Sequence, residues 1–347
     1  MTEHKKDAKL SDSETAGIFL VERALDYVYS AALRAIALLG VADHLTNGPK
    51  TIAELAQATG TDELNLYRVL RLLTTKGVFI ENESGQFELT APAQHLRTDS
   101  KSSLRSGVLW LTDEVMWRSI GEIVRNVRGD TFKKIHGMNF FEYWKKKGVS
   151  SDGYDFHAGF NSFSENDNEI LIRNYDFPDG ATVVDVGGNL GGLLLGILQR
   201  NPTLHGILFD QPQVVNRHRL GELGDDKRWK LAPGDFFKSV PKKGDFYMMK
   251  YVLHDWNDGD CIRILRNCRE AMAPGGRVLV LEPVIPPRNT PHMGKLFDQL
   301  CLGVCEGGRE RTEEEFRQLL FAKAGLRLNR VIDTGSHISI IEAVTAD

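Results

Sequence analysis

The stretch Thr182-Val-Val-Asp-Val-Gly-Gly-Asn-Leu-Gly-Gly192 runs from β-branched, apolar residues into a cluster of glycines. Thr182 to Val186 has the length and branching of a buried parallel strand, which the glycines then stop. Glycines there let the backbone turn sharply and approach a ligand closely, with the amides of a following helix facing it. A second apolar run, Gly206 to Asp210, ends in a carboxylate. Folds that bind a ribose diol place an acid after their second strand in this way. The chemistry indicated is the holding of a nucleoside.

The elements that position these residues follow from the alternation that begins at Asp179. Strands are expected near 182–187, 206–210, 229–232, 245–251 and 277–283, then at 326–333 and 337–344. Only Thr334-Gly335-Ser336 separates the last two, too short for a parallel crossover, so they pair antiparallel. The expected fold class is α/β. It is a Rossmann-like, doubly wound, mostly parallel seven-stranded sheet with an antiparallel edge strand, occupying residues 176–347.

A chain of 347 residues is long for one core, and two domains are expected. Hydrophobic residues make up 41% and charged residues 26%, as in a water-soluble globular protein. The net charge of -4 points to neither nucleic acid nor an anionic membrane as partner. No apolar stretch reaches the roughly 20 residues of a spanning helix. Cys261, Cys268, Cys301 and Cys305 form no CxxC pair, and their spacings suit helix faces. Reduced thiols, no metal site and a cytoplasmic location are therefore expected.

Residues 1–15 are polar and expected to be a disordered tail. Ile18 to Leu45 is long, apolar and helix-favouring on more than one face, suggesting burial on several sides at a subunit interface. A helix, a turn at Gly60, a second helix capped by Thr61 or Asp62, and a hairpin through Glu83-Ser84-Gly85 then make a winged-helix pattern. Residues 51–100 carry four Lys or Arg against seven Asp or Glu, whereas phosphate contacts need a basic face. A mostly α, winged-helix dimerisation domain over 16–103 is expected in preference to a DNA reader. Residues 104–175 read as a helical connector and pocket roof. Within it Lys145-Lys146-Lys147 reads as a solvated helix end without a partner.

A dinucleotide loop wants G-x-G-x-x-G, and Asn189 stands at its middle glycine, which argues against a nicotinamide cofactor. S-adenosylmethionine has a ribose and no phosphates. VVDVGGNLGG, FDQPQVV, PGDFFKSVP, KYVLHDWNDGDCIRILRNCREAMAPGGRVLVLEPVIP and EGGRERTEEEF follow one another in this chain. In that order they resemble the small-molecule O-methyltransferases of the plant caffeic-acid and bacterial antibiotic-tailoring type, over residues 16–345. The resemblance implies a homodimer that methylates an aromatic hydroxyl with S-adenosyl-L-methionine, the N-terminal module roofing the partner's pocket.

Carried over residue by residue, it places Gly187 against the cofactor and Asp210 on its ribose. Asp235 and Phe236 fall at the adenine, and Lys250 at the amino-acid end. His254 becomes the general base, flanked by Glu282 and Glu310, with Asp255 touching substrate. Trp144, Phe160, Asn161, Phe163, Leu300, Cys301 and Cys305 would line an apolar, modestly polar pocket for an aromatic or polyketide-like molecule. The chemistry is coherent. A phenol with a pKa near 10 is a poor nucleophile until its proton is taken, and an imidazole can take it.

Two departures mark this chain. Asn189 replaces a glycine usual in the family's loop; Asn adopts the left-handed backbone most readily after Gly, yet its side chain crowds the cofactor's approach. Ser164 stands where plant relatives often have a methionine, which argues against a plant phenylpropanoid. The rival readings are a relative that keeps the cofactor for hydroxylation, decarboxylation or pericyclic chemistry, and a ligand-responsive DNA-binding regulator.

Overall fold

The computed structural model describes residues 10–150 and 153–346. Two units divide between Thr112 and Asp113. Among the described residues no helix is long and apolar enough to cross a membrane.

In the first unit, helix Asp12–Ala24 starts inside the segment expected to be tail. The reason is a capping box: Glu14 N–H donates to Ser11 Oγ (3.3 Å), and Ser11 N–H donates to Glu14 Oε2 (2.8 Å). Residues 1–9 of that expected tail lie outside the described residues. The long apolar stretch is not one helix. It breaks at Leu25, and helix Asp26–Leu39 ends at Gly40, whose φ of 63° only glycine adopts cheaply. Nor is it buried on several sides within one chain, since Ile18, Phe19, Leu20, Val21 and Leu25 are all exposed.

The winged-helix pattern is present. Helix Ile52–Thr59 ends at Gly60, and helix Glu63–Thr74 is capped by Asp62, which accepts from Asn65 N–H at 2.9 Å. Strands β1 (Lys50–Thr51), β2 (Phe79–Glu81) and β3 (Gln86–Leu89) form one antiparallel sheet in the order β1-β3-β2. Phe79, Phe87, Leu66, Leu70 and Leu73 bury against Ile36 and Leu55.

The second unit holds β4 (Thr182–Val186), β5 (His205–Asp210), β6 (Trp229–Pro233), β7 (Phe246–Lys250), β8 (Arg277–Glu282), β9 (Leu326–Asp333) and β10 (Ser339–Thr345). Their order is β6-β5-β4-β7-β8-β10-β9. The first five pair in parallel, and β10 runs antiparallel to both β8 and β9. Because successive side chains alternate faces, β4 sends Val184 and Val186 into one apolar layer and Val183 into the other. Cys261 and Cys268 belong to the first layer as buried free thiols. The chain leaves β4 for β5 on one side and later returns through β7 on the other. The crevice beyond the carboxyl ends of β4 and β7 is thus the ligand position of an open α/β sheet.

Lys147 is only part-exposed and has a partner. Its ammonium crosses the Trp144 ring at 4.9 Å and pairs with Asp113 Oδ2 at 2.6 Å, while Lys145 and Lys146 stay exposed. Tyr154 Oη donates to the same buried oxygen of Asp113. The partner lies 34 residues away, beyond the reach of local reading.

Candidate active site

The turn after β4 is built from residues without side-chain bulk. A methyl group on Gly187 would stand 2.9 Å from Val252 Cγ2, and one on Gly188 2.5 Å from Leu208 Cδ1. Gly187 and Gly191 have φ of 72° and 79°, and Asn189 joins them at 51°. The left-handed Asn189 was legible in the sequence; where its side chain goes was not. It turns to helix Phe156–Glu165, where its Oδ1 lies 2.9 Å from His157 Nδ1.

Asp210, at the end of β5, fixes the turn by accepting from Asn189 N–H (2.9 Å), and it also accepts from its neighbour Gln211 N–H (2.7 Å). Burial raises its pKa against those two hydrogen bonds. Asp235 follows β6 and accepts from Phe237 N–H at 2.9 Å. Phe236 packs edge-on to Trp256 and comes within contact of the Gly187 turn. Lys250, buried at the end of β7, donates to Asn168 Oδ1 (2.6 Å) and to the Ser164 carbonyl. Burial lowers its pKa to about 8, opposed by Asp167, Asp185 and Glu165.

Asp185 escaped the sequence reading, although a charge inside the run Thr182 to Val186 was its signal. It is 2% exposed, its Oδ2 has no partner among the described residues, and burial lifts its pKa to about 7. A bare turn, a ribose-type acid and a buried, unpartnered carboxylate oxygen fit a nucleoside that also carries positive charge. The residues present therefore suit S-adenosylmethionine.

Beyond β7 the backbone makes a second tight turn. Tyr251 has φ of 53°, costly for a bulky side chain. Its hydroxyl lies 2.7 Å from Asp167 Oδ2 and 2.9 Å from His337 Nε2, and its ring stacks on the His254 imidazole at 5.4 Å. Among the described residues, Glu282 makes its hydrogen bonds to the backbone beside that imidazole. Its Oε1 accepts the backbone N–H groups of Val252 (3.1 Å), Leu253 (2.6 Å) and His254 (3.2 Å), and burial raises its pKa to about 7.

Glu310 meets the ring, its Oε1 accepting from His254 Nδ1 at 2.8 Å with the carboxylate fully buried. Asp255 Oδ1 lies 3.6 Å from His254 Nε2 and accepts from the Cys305 thiol at 3.5 Å. Burial opposes protonation of His254, but the Cys301 sulfur, Glu310 and Asp255 outweigh it and hold its pKa well above 6.5. A hydrogen bond from Cys305 lowers the Cys301 pKa, against its burial. One potential ligand atom from each of His254, Cys301 and Glu310 lies within 4.8 Å of the others, and His254 Nδ1 is bonded to Glu310 Oε1.

Of the expected lining, Phe160 and Phe163 reach Tyr251, at 6.3 and 5.5 Å between ring centres. Cys301 and Cys305 sit at the end of helix Gly294–Val304, against the histidine cluster. Leu300 packs partly into the second apolar layer, and Asn161 is half-buried beside Phe160. Trp144 stands one aromatic layer back, at 6.0 Å from Phe156, which itself stacks on Phe160.

A family model described as the O-methyltransferase domain matches residues 117–327, and one described as the O-methyltransferase dimerisation domain matches residues 21–99. The chain belongs to the O-methyltransferase family. It is 39% identical to the phenazine O-methyltransferase PhzM of Lysobacter antibioticus over 329 residues, covering 93% of this chain and 95% of the relative. It is 35% identical to the mitomycin biosynthesis 6-O-methyltransferase of Streptomyces lavendulae, covering 93% and 94%. CalO1, a methyltransferase in calicheamicin biosynthesis solved in an SAH-bound form, superposes with a TM-score of 0.88 at 42% identity. That match covers 97% of this chain and 100% of CalO1. This O-methyltransferase is S-adenosylmethionine-dependent and carries its own dimerisation domain.

Proposed function

We propose that this O-methyltransferase acts as a homodimer on a hydroxyl of an aromatic or polyketide-like secondary metabolite, with His254 as the general base. The 2.8 Å contact between His254 Nδ1 and the buried Glu310 carboxylate carries the reading. It keeps the proton on Nδ1, so that Nε2 is the nitrogen that accepts from the substrate hydroxyl. Glu282 holds the backbone of the same turn. The raised His254 pKa makes it the stronger acceptor once it is neutral.

Gly187, Asp210, Asp235, Phe236 and Lys250 would hold the cofactor, whose part when bound is to supply an electrophilic methyl group. Phe160 and Phe163, with Trp144 behind them, give a planar acceptor an apolar bed. Asn161, Leu300, Asp255, Cys301 and Cys305 offer the remaining contacts. The antibiotic-tailoring roles in the names of its relatives support a secondary metabolite. The exposed apolar residues of helix Asp12–Ala24 support residues 16–103 as the pairing module, with 104–175 as connector and 176–347 as catalytic domain.

Replacing His254 by Ala or Gln is expected to lower kcat about 100- to 10,000-fold. Calorimetric affinity for S-adenosylhomocysteine should stay within a few-fold. Wild-type turnover in either variant, followed with methyl-labelled cofactor, would place the base elsewhere.

A further inference from the structure

Arg311 is fully buried and is the bulkiest such side chain among the described residues, yet nothing in the reaction outlined above employs it. Four of the five hydrogen bonds of its guanidinium go to the short segment Leu253–Asp258. Nε and Nη2 donate to Asp258 Oδ1 at 3.0 and 2.9 Å. Nη1 donates to the Leu253 carbonyl at 3.1 Å and to that of Arg309 at 3.2 Å. Nη2 also donates to the Trp256 carbonyl at 2.9 Å. The turn that carries His254 is thus held from two sides, its N–H groups by Glu282 and its carbonyls by Arg311.

The segment that supplies Arg311 lies directly against the same turn. A methyl group on Gly308 would stand 2.3 Å from the His254 carbonyl oxygen, so only glycine lets the two backbones meet. Arg311 is anchored in turn by its backbone, its carbonyl accepting from Ile285 N–H at 2.9 Å beyond β8. Glu310 and Arg311 are consecutive, and one reaches the imidazole while the other reaches the backbone beneath it. One strand of chain therefore sets both the place of the ring and the place of its carboxylate.

We propose that Arg311 is a positioning residue for methyl transfer: its planar fork fixes the His254 turn against the segment bearing Glu310 and so sets the His254–Glu310 contact. The proposal rests on His254 being the base. Lysine keeps the charge but presents a single ammonium on a flexible stem, which cannot span Asp258 and two carbonyls at once. Displacing a reacting group by about 1 Å costs on the order of 100-fold in rate.

The test uses Arg311→Lys and Arg311→Ala in the full chain, with Asp258→Asn, which removes the carboxylate that takes two of the five bonds. Arg311→Lys is expected to lower kcat by about 10- to 100-fold. Affinity for S-adenosylhomocysteine and the circular dichroism spectrum at the assay temperature should stay unchanged. The pH at which kcat rises should fall, because a loosened Glu310 no longer holds the imidazole proton. Asp258→Asn should shift the profile the same way by less, and millimolar guanidinium should restore part of the activity of Arg311→Ala.

Wild-type kcat and pH profile in Arg311→Lys would overturn the proposal, as would a loss that merely tracks the unfolded fraction. Should neither arginine variant yield folded protein, an unshifted pH profile in Asp258→Asn overturns it instead. An active His254→Ala would remove the base reading itself. An inactive His254→Ala beside a fully active Arg311→Lys would remove only the role given to Arg311.

Discussion

Two turns leave neighbouring strands of the same sheet and solve one geometric problem differently. After β4 the chain turns through Gly187 to Gly191, and after β7 through Tyr251 to Trp256. Each includes a non-glycine residue in the left-handed region, Asn189 at 51° and Tyr251 at 53°. Each is anchored by a carboxylate that accepts backbone N–H groups of the turn, Asp210 with one and Glu282 with three. At the first turn the glycines leave no room for a Cβ, because Val252, Leu208, Asp185 and Leu220 pack directly against the backbone. The second crowds buried charges and an aromatic ring around one imidazole. On the function proposed above, the close-packed first turn would serve cofactor binding and the heavily bonded second turn would serve proton transfer.

That contrast is broken most severely by filling the first turn. Gly188→Val would drive its side chain into Leu208 and into the Asp185 carboxylate, whose nearest oxygen stands 2.6 Å from where a methyl group would be. Cofactor affinity is expected to fall by more than about 100-fold, since overpacking of this kind costs typically 1–3 kcal/mol before the lost contacts are counted. Calorimetry with S-adenosylhomocysteine reads the effect. Near-normal affinity would mean that the cofactor does not rest on this turn.

The second turn is probed by Glu310→Gln. The sign follows from the opposing causes at His254, where burial lowers the pKa and the charges of Cys301, Glu310 and Asp255 raise it well above the ordinary value. Removing the Glu310 charge leaves burial less opposed, so the pKa falls and activity should rise at lower pH than in the wild type. The maximal kcat should nevertheless fall about 10- to 100-fold, because an amide no longer fixes the proton on Nδ1. A full pH profile of kcat separates the two effects. An unmoved profile would detach His254 from the rate-limiting proton.

The two turns were unequally legible in the sequence. Glycines announce the first, and β-branched runs announce the strands on either side, because both are local requirements of backbone and burial. The sheet, its antiparallel end and the winged-helix unit follow from the same kind of signal. The second turn depends on partners far along the chain. Tyr251 meets Asp167 across 84 residues, Glu310 meets His254 across 56, and Arg311 meets Leu253 across 58. No propensity or periodicity encodes such pairings. His254, Glu282 and Glu310 follow from family resemblance, which did not reveal that Glu282 bonds the backbone of the His254 turn. Asp185 carried a signal, a charge in an apolar run, but its unpartnered oxygen shows only in three dimensions. The end of helix Asp26–Leu39 carried a signal in Gly40, whereas the start of helix Asp12–Ala24 rests on the Ser11–Glu14 capping box.

The smallest expected effect sharpens the comparison at Asn189. Glycine there would relieve the left-handed backbone, at the cost of the link to His157 on helix Phe156–Glu165. A hydrogen bond of this kind is worth roughly 0.5–1.5 kcal/mol net, and the added backbone freedom of glycine costs a comparable amount. Cofactor affinity should therefore change by no more than about fivefold, roughly 1 kcal/mol by the usual conversion. The larger consequence should fall on the helix, whose amides between Phe160 and Ser164 should exchange with solvent faster in Asn189→Gly. Unchanged exchange with a large loss of affinity would reverse the assignment, making the Asn189 side chain a cofactor contact and the first turn less bare than its glycines suggest.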